Sequence, residues 1–224
     1  MNRLTITIDG ASSTGKSTLA KKIAKHFGFT YIDSGAMYRA LTLYAIQNSY
    51  IGEGYFHKNQ LLEKLPEISI DFNTNDTITL NGKVVEEDIR KMEVAEHVST
   101  LAKEPAFRRF MVAKQRELGQ WGGVVMDGRD IGSVVFPYAD VKFYLVASAE
   151  TRATRRFSEL RDKGEQVSPK SVFQNLAKRD AIDSTRSDSP LVKPLGAIEL
   201  SSENTTQDQL FETALSHISS KLEQ

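Results

Sequence analysis

Gly10-Ala11-Ser12-Ser13-Thr14-Gly15-Lys16-Ser17 sets two glycines, a lysine and a hydroxyl at the spacing G-x-x-x-x-G-K-[ST]. Glycines let the backbone curl so that successive N–H groups point into one concavity, and a helix that opens at the lysine adds the positive end of its dipole. Such a loop holds the phosphates of a nucleoside triphosphate. Lys16 reaches the β- and γ-phosphates, and the Ser17 hydroxyl takes a Mg²⁺ position.

Four further clusters carry charge. Asp33-Ser34-Gly-Ala-Met-Tyr38-Arg39 follows a short apolar run, where α/β sheets bind their ligands. Ser34 at a helix N-terminus can hydrogen-bond an anion, with Tyr38 and Arg39 one turn on; taken alone, it would be a plain N-cap. Asp127-Gly-Arg129-Asp130-Ile-Gly132 also follows a strand, and its acid–arginine pair competes with a simple turn salt bridge. Arg152, Arg155 and Arg156 lie on one helical face, which for a lone charge run reads as a solvated surface. Arg179, Asp183 and Arg186 share a face if they are helical, a dual-charge surface suited to a sugar hydroxyl and a phosphate.

The elements that must position these groups alternate. Leu4, Ile6 and Ile8 alternate with threonines as a strand before the loop; Leu19, Ala20, Ile23, Ala24 and Phe27 make the apolar face of a helix after it, and Gly28 stops that helix. Short strands are predicted near residues 29–32, 123–126, 141–146 and 197–200, and helices over about 34–48, 89–120 with a break near Pro105, and 150–163. Thr206 and Gln209 form a capping-box pair ahead of a last helix. This pattern predicts an α/β fold, a three-layer parallel-sheet core. Alternation at Ile68–Phe72 and Ile78–Leu80, with Asn81-Gly82 leading into Lys83, predicts a small antiparallel sheet inserted into it. The expected division is core 1–62, insert 63–88, core 89–149, a short arginine-bearing lid 150–165, and core 166–224.

Composition narrows the classes. At roughly 150 residues per domain, 224 residues make one domain with an insertion or two small ones. With no cysteine, a disulfide framework, a thiolate metal site and a cysteine nucleophile are excluded, and the four histidines have no ligand-like spacing. Lys+Arg and Asp+Glu balance at 29 each, so no global field draws the chain to nucleic acid or an acidic membrane. No apolar run approaches the ~20 residues of a membrane span, and Met1-Asn2-Arg3 leads into a strand with no secretory apolar region; a cytoplasmic protein is expected. Among users of a triphosphate, the N-K-x-D string of guanine-specific switches is absent. Arginines at four separate clusters favour a small kinase over a switch, a motor or a regulatory binding protein.

TIDGASSTGKST, DSGAMYR, MDGRDIGSVVFP and KRDAIDSTRSDSPL together resemble the bacterial cytidylate kinases, of the nucleoside monophosphate kinase group, along essentially the whole chain. The resemblance implies ATP as phosphoryl donor with Mg²⁺, and CMP or dCMP as acceptor, with UMP or a shikimate-like acid as the alternative. It implies that Gly10 to Thr18 hold ATP, and that Ser34, Tyr38, Arg39, Arg129 and Arg186 hold the acceptor phosphate. Ser99, Arg108 and Asp130 would read the cytosine ring, Arg179 and Asp183 would meet the ribose, and Arg152 and Arg156 would close as lid arginines. Ser99 and Arg108 rest on the resemblance alone. The family is usually monomeric, and no nucleic acid polymer or membrane is expected as partner. Many relatives carry glycine or alanine where this chain has Ser13-Thr14, and a second glycine where it has Ser17; the chemistry is expected to be the same.

Overall fold

The computed structural model describes residues 3–73 and 76–222, so Met1 and Asn2, at the predicted start of the chain, lie outside the described residues. The chain separates into two compact units, one formed by residues 1–31 with 121–224 and the other by residues 32–120.

The first unit is built on a five-stranded sheet in the order β10-β9-β1-β8-β2. Its strands are β1 (Thr5–Gly10), β2 (Thr30–Asp33, which runs into the second unit), β8 (Val124–Gly128), β9 (Val141–Val146) and β10 (Ile198–Ser201). β1 pairs in parallel with β8 and β9, and β9 with β10. Parallel pairing needs crossovers, and α1 (Lys16–Phe27), α6 (Ala149–Asp162), α7 (Pro169–Thr185) and α8 (Gln207–Leu222) are the helices of this unit. Period two decides the faces. Ile6 and Ile8 of β1 join Val125, Phe143, Leu145 and Leu200 in a core sealed by Leu19, Ala20 and Ile23 of α1 and Leu210, Ala214 and Ile218 of α8. Burying each large aliphatic side chain there contributes about 1.5–3 kcal/mol. Thr7 and Asp9, the intervening residues of β1, are equally buried on the other face. A π-helical turn at Ile131–Val135 lies against them.

α6 and α7 carry a separate small core of Ala153, Leu160, Val172 and Leu176. Ser148 caps α6, and Ser168 with Ser171 forms a capping box on α7, so each helix has its own start signal. The predicted Thr206–Gln209 box ahead of α8 is present in both directions, at 3.0 and 3.2 Å.

The second unit holds α2 (Ser34–Gln47), the ribbon β3 (Ile51–Gly52) with β4 (Tyr55–Phe56), α3 (Lys58–Lys64), α4 (Met92–Ala102) and α5 (Pro105–Gly119). It also holds the antiparallel sheet of β5 (Ile70–Phe72), β6 (Ile78–Leu80) and β7 (Lys83–Val84). Asn81 and Gly82 close the β6–β7 hairpin with φ of 49° and 76°, the double positive φ of a type I′ turn. Pro105 opens α5 at a position where its missing N–H costs nothing, which explains the predicted break. The β3–β4 ribbon and α3 were not anticipated: two-residue strands and a seven-residue helix are too short to show a period.

Candidate active site

The glycine-rich loop joins β1 to α1 as the sequence predicts. Gly10 lies where a side chain could not, since a Cβ there would stand 2.3 Å from the Leu145 carbonyl oxygen. Gly15, at φ 93°, is the N-cap of α1, and no side chain caps that end. The positive end of the α1 dipole faces this loop, which favours an anion there. Inside the loop, Lys16 is 5% exposed and its Nζ donates to the Ala11 carbonyl at 2.8 Å, while Thr14 Oγ1 donates to the same oxygen at 3.1 Å. Ser13 holds a positive φ of 61° with a side chain attached. Ser17 donates from Oγ to Asp127 Oδ2 at 3.0 Å, and Tyr31 donates from its hydroxyl to Asp127 Oδ1 at 2.8 Å. Thr18 is exposed on α1.

Two arginines of the first unit, Arg129 and Arg152, reach this loop, and Arg186 shares Asp183 with Arg129. Arg129 donates from Nη2 to Ser12 Oγ at 2.6 Å and from Nε to Asp183 Oδ2 at 2.9 Å. Burial works against its charge, but Asp183, with Asp180 and Asp127, outweighs burial and raises its pKa. The reciprocal effect holds for Asp183: burial pushes its carboxyl up, yet Arg129 and then Arg186 and Arg179 bring it below its ordinary value. Arg186 places its guanidinium 3.5 Å from Asp183 and 3.7 Å from Asp130, with a side chain only 5% exposed. It does so from outside the helix. α7 ends at Thr185, and Arg186 is already extended at ψ 141°, so the expected helical face ends at Asp183. Its Nε donates to the Ser189 carbonyl at 2.6 Å, which fixes it beyond the helix end.

Arg152 is also turned inward. Its Nη1 lies 2.7 Å from Asp180 Oδ2 and 3.4 Å from the Ser12 carbonyl oxygen, and its Nε donates to the Ala147 carbonyl. Arg156 stands apart from this group, paired with Glu159 at 2.9 Å one turn along α6. Arg155 donates to the Ser202 carbonyl at 2.6 Å.

In the second unit, Asp33 rather than Ser34 caps α2, accepting from the Ala36 N–H at 2.8 Å and pairing with Arg39 at 3.0 Å. Ser34 is the first helical residue and is buried, as is Tyr38. Arg108 of α5 is 2% exposed, donates to the Ala102 carbonyl at 3.1 Å, and sets its guanidinium 5.6 Å from the Tyr38 ring centre. Ser99 is buried on α4.

Residues 6–220 match the family described as cytidylate kinase. The chain belongs to the cytidylate kinase family. A cytidylate kinase of Flavobacterium psychrophilum is 46% identical over 96% of this chain and 97% of its own length. One of Parabacteroides distasonis is 48% identical over 93% of each. In fold alone, an uncharacterized protein from Eubacterium ventriosum is similar, with a TM-score of 0.53 at 13% identity over 98% of this chain and 99% of that one.

Two carboxylates of this cytidylate kinase family member escaped assignment from the sequence. Asp127 was read only as part of a charged turn, yet it accepts from Ser17. A signal existed: it follows three buried apolar residues, Val124 to Met126, near the end of the strand beside the loop-bearing one. Asp9 immediately precedes Gly10 and is fully buried. Burial pushes its carboxyl up to about 7, against two backbone hydrogen bonds. Ser17 and Asp127 offer hard oxygen donors side by side, a set that fits Mg²⁺. Among the described residues no group of three or more His, Cys, Asp or Glu is assembled, and Mg²⁺ that is shared with phosphates needs none. No helix of the described residues is long and apolar enough to cross a membrane.

Proposed function

We propose that this chain transfers the γ-phosphoryl group of ATP to CMP or dCMP, giving ADP and CDP or dCDP. The observation that carries the reading is Arg129, whose guanidinium is fixed between the hydroxyl of Ser12 in the phosphate loop and the Asp183 carboxylate. A permanent positive charge held there has no structural need of a phosphate loop; it suits a reaction in which anions must be brought together.

In this reading Gly10 to Thr18 hold ATP, with Lys16 on the β- and γ-phosphates. Ser34, Tyr38, Arg39, Arg129 and Arg186 hold the acceptor phosphate. Asp130, Arg108 and Ser99 read the base, and Arg179 and Asp183 meet the ribose. Residues 63–88 serve as the acceptor insert and residues 150–165 as the lid that carries Arg152 and Arg156, with residues 1–62, 89–149 and 166–224 as core. Ser17 and Asp127 would hold Mg²⁺, which when bound neutralises phosphate charge. The chain acts as a cytoplasmic monomer on small nucleotides, with neither nucleic acid polymer nor membrane as partner; its balanced charge supports the last two points.

The acceptor supplies its own nucleophile. A phosphate oxygen of CMP, largely deprotonated at neutral pH, attacks the γ-phosphorus while the bond to the β,γ-bridging oxygen breaks, and no general base is required. The residues act by holding two anions in line and by countering the charge that spreads over the transferring group. Closure excludes the water that would otherwise take the phosphoryl group.

Turnover with ATP and separate acceptors tests the reading. CMP and dCMP are expected to give the diphosphate rapidly, with UMP well behind and shikimate inert. Faster turnover of UMP or shikimate, or ATP hydrolysis without transfer, would overturn it.

A further inference from the structure

Asp9 is a buried carboxylate that the reaction as described does not use. Its side chain is wholly buried, on the face of β1 opposite the main core. Oδ1 accepts from the Ile131 N–H and Oδ2 from the Gly132 N–H, both at 2.7 Å. Those two N–H groups open the π-helical turn Ile131–Val135, whose N-cap, Asp130, makes no capping bond with its own side chain. Asp9 caps the turn from another strand, more than a hundred residues away in the chain.

The surroundings are built around this link. A Cβ on Gly132 would stand 2.8 Å from Thr7 Oγ1 and 3.2 Å from Asp9 Oδ2, so only glycine lets the turn come this close. The Asp130 carbonyl accepts from Val134 and Val135, at 2.9 and 3.2 Å, and continues the turn that Asp9 starts. Arg129 and Asp130 immediately precede the anchored residues. Two charge-assisted bonds to successive backbone N–H groups fix both the position and the direction of that backbone. Keeping a carboxyl here has a cost: burial pushes it to about 7, and an apolar residue would pack without that penalty.

We propose that Asp9 is a positioning residue for the acceptor side of the reaction: by anchoring Ile131 and Gly132 it aims Arg129 and Asp130 at the acceptor nucleotide. This rests on the acceptor roles given above to Arg129 and Asp130. Asp9 acts through the turn and touches neither nucleotide. Its own backbone, and that of Gly10, is held separately by main-chain pairing of β1 with β8 and β9. Removing the carboxylate therefore loosens the turn while leaving the phosphate loop in place.

Asp9→Asn is the near-isosteric test. An amide keeps one acceptor oxygen but turns its NH₂ toward a backbone N–H, so one bond is lost and two donors meet. Gly132→Ala disturbs the same link from the other side and serves if the first variant folds poorly. At pH 8, where Asp9 is ionised, kcat and the KM values for CMP, UMP and ATP are measured for wild type and both variants. The expected result is a KM for CMP raised about tenfold or more, a narrower CMP/UMP preference, and a KM for ATP within about threefold of wild type. A merely structural role would not move base preference. A folded variant with unchanged KM for CMP, or with KM for ATP rising as far as KM for CMP, overturns the inference. Failure of the wild type to use CMP would instead overturn the acceptor assignment on which it rests.

Discussion

Ser17 donates from its hydroxyl to the carboxylate of Asp127 across 3.0 Å, joining two residues 110 apart in the chain. Register explains the meeting. β1 and β8 are parallel neighbours with Ile8 opposite Asp127, so Asp127, one residue from the end of β8, comes beside the loop that β1 feeds. One hydroxyl and one carboxylate at the mouth of a phosphate loop are what a hard cation shared with a nucleotide requires. Asp127→Ala is expected to lower kcat by about 10²-fold or more and to weaken Mg²⁺-dependent nucleotide binding. Titrating Mg²⁺ against nucleotide affinity in wild type and variant checks this; identical Mg²⁺ dependence would remove Asp127 from the site.

Lys16 is the group whose loss should cost most for its size. It is buried in the loop, with Nζ held by the Ala11 carbonyl at 2.8 Å, so its charge is already aimed before a nucleotide arrives. Lys16→Ala is expected to reduce kcat at least ~10²-fold while the melting temperature stays close to wild type. Near-normal turnover in a folded variant would refute the role given to the loop.

The two arginines proposed for the lid are expected to separate. Arg152 lies against the Ser12 carbonyl and pairs with Asp180, whereas Arg156 pairs with Glu159 along its own helix. Arg152→Ala should lower kcat by about 10²-fold and change CMP affinity far less, the pattern of a contact made in the transition state. Arg156→Ala should fall within about tenfold of wild type, because a partly exposed i,i+3 pair within one helix contributes little. Steady-state kinetics with CMP binding measured in parallel decides the order; equal loss of binding and turnover in Arg152→Ala would move it to the acceptor pocket.

Much of the frame was legible because it obeys short-range rules. Period two marked β1, Asn81-Gly82 marked its hairpin, Gly28 marked the end of α1, and the glycine–lysine spacing marked the loop. What escaped depends on contacts between distant segments. Nothing local tells that Ser17 meets Asp127, that Asp9 caps the turn after Asp130, or that Arg129 reaches Asp183. Arg108 shows the same limit in the second unit. A lone arginine on an amphipathic helix reads as surface, yet it is buried beneath the Tyr38 ring, and only the family resemblance singled it out.

Asp9 gives the fold a pH dependence of definite sign. Its carboxyl moves from 3.8 in an unfolded chain to about 7 when folded, because burial disfavours the charge; Asp130 adds to the rise, while Lys16 and the two backbone bonds oppose it. Between those values the folded chain keeps a proton that the unfolded chain has lost, so stability falls as pH rises, by about 4 kcal/mol in all. Asp183 acts in a different window: its lowered value adds stability that is lost only as pH drops below the ordinary carboxylate range. Urea unfolding between pH 5 and 8 should show Asp9→Asn gaining on wild type by ~2 kcal/mol or more as pH rises. Parallel curves would mean the buried carboxyl does not titrate there.

Base choice is the most specific consequence of the site, and Asp130 is its test. Cytosine presents an N4 amino donor beside the N3 and O2 acceptors, so a pocket that reads it needs one acceptor next to donors. Asp130 is buried, with the Arg186 guanidinium 3.7 Å away, and a carboxylate so placed can accept from the amino group. Arg108 and Ser99 are the donors in this reading. Uracil offers an oxygen where cytosine has its amino group, and two acceptors would then face each other unpaired, at a cost of a few kcal/mol. Asp130→Asn supplies an amide that can serve as donor or acceptor, so it should lose CMP activity and narrow the CMP/UMP gap by about tenfold or more. The quantity to measure is kcat/KM for both nucleotides in wild type and variant. If both fall together and the ratio holds, Asp130 supports the turn alone and the base is read elsewhere.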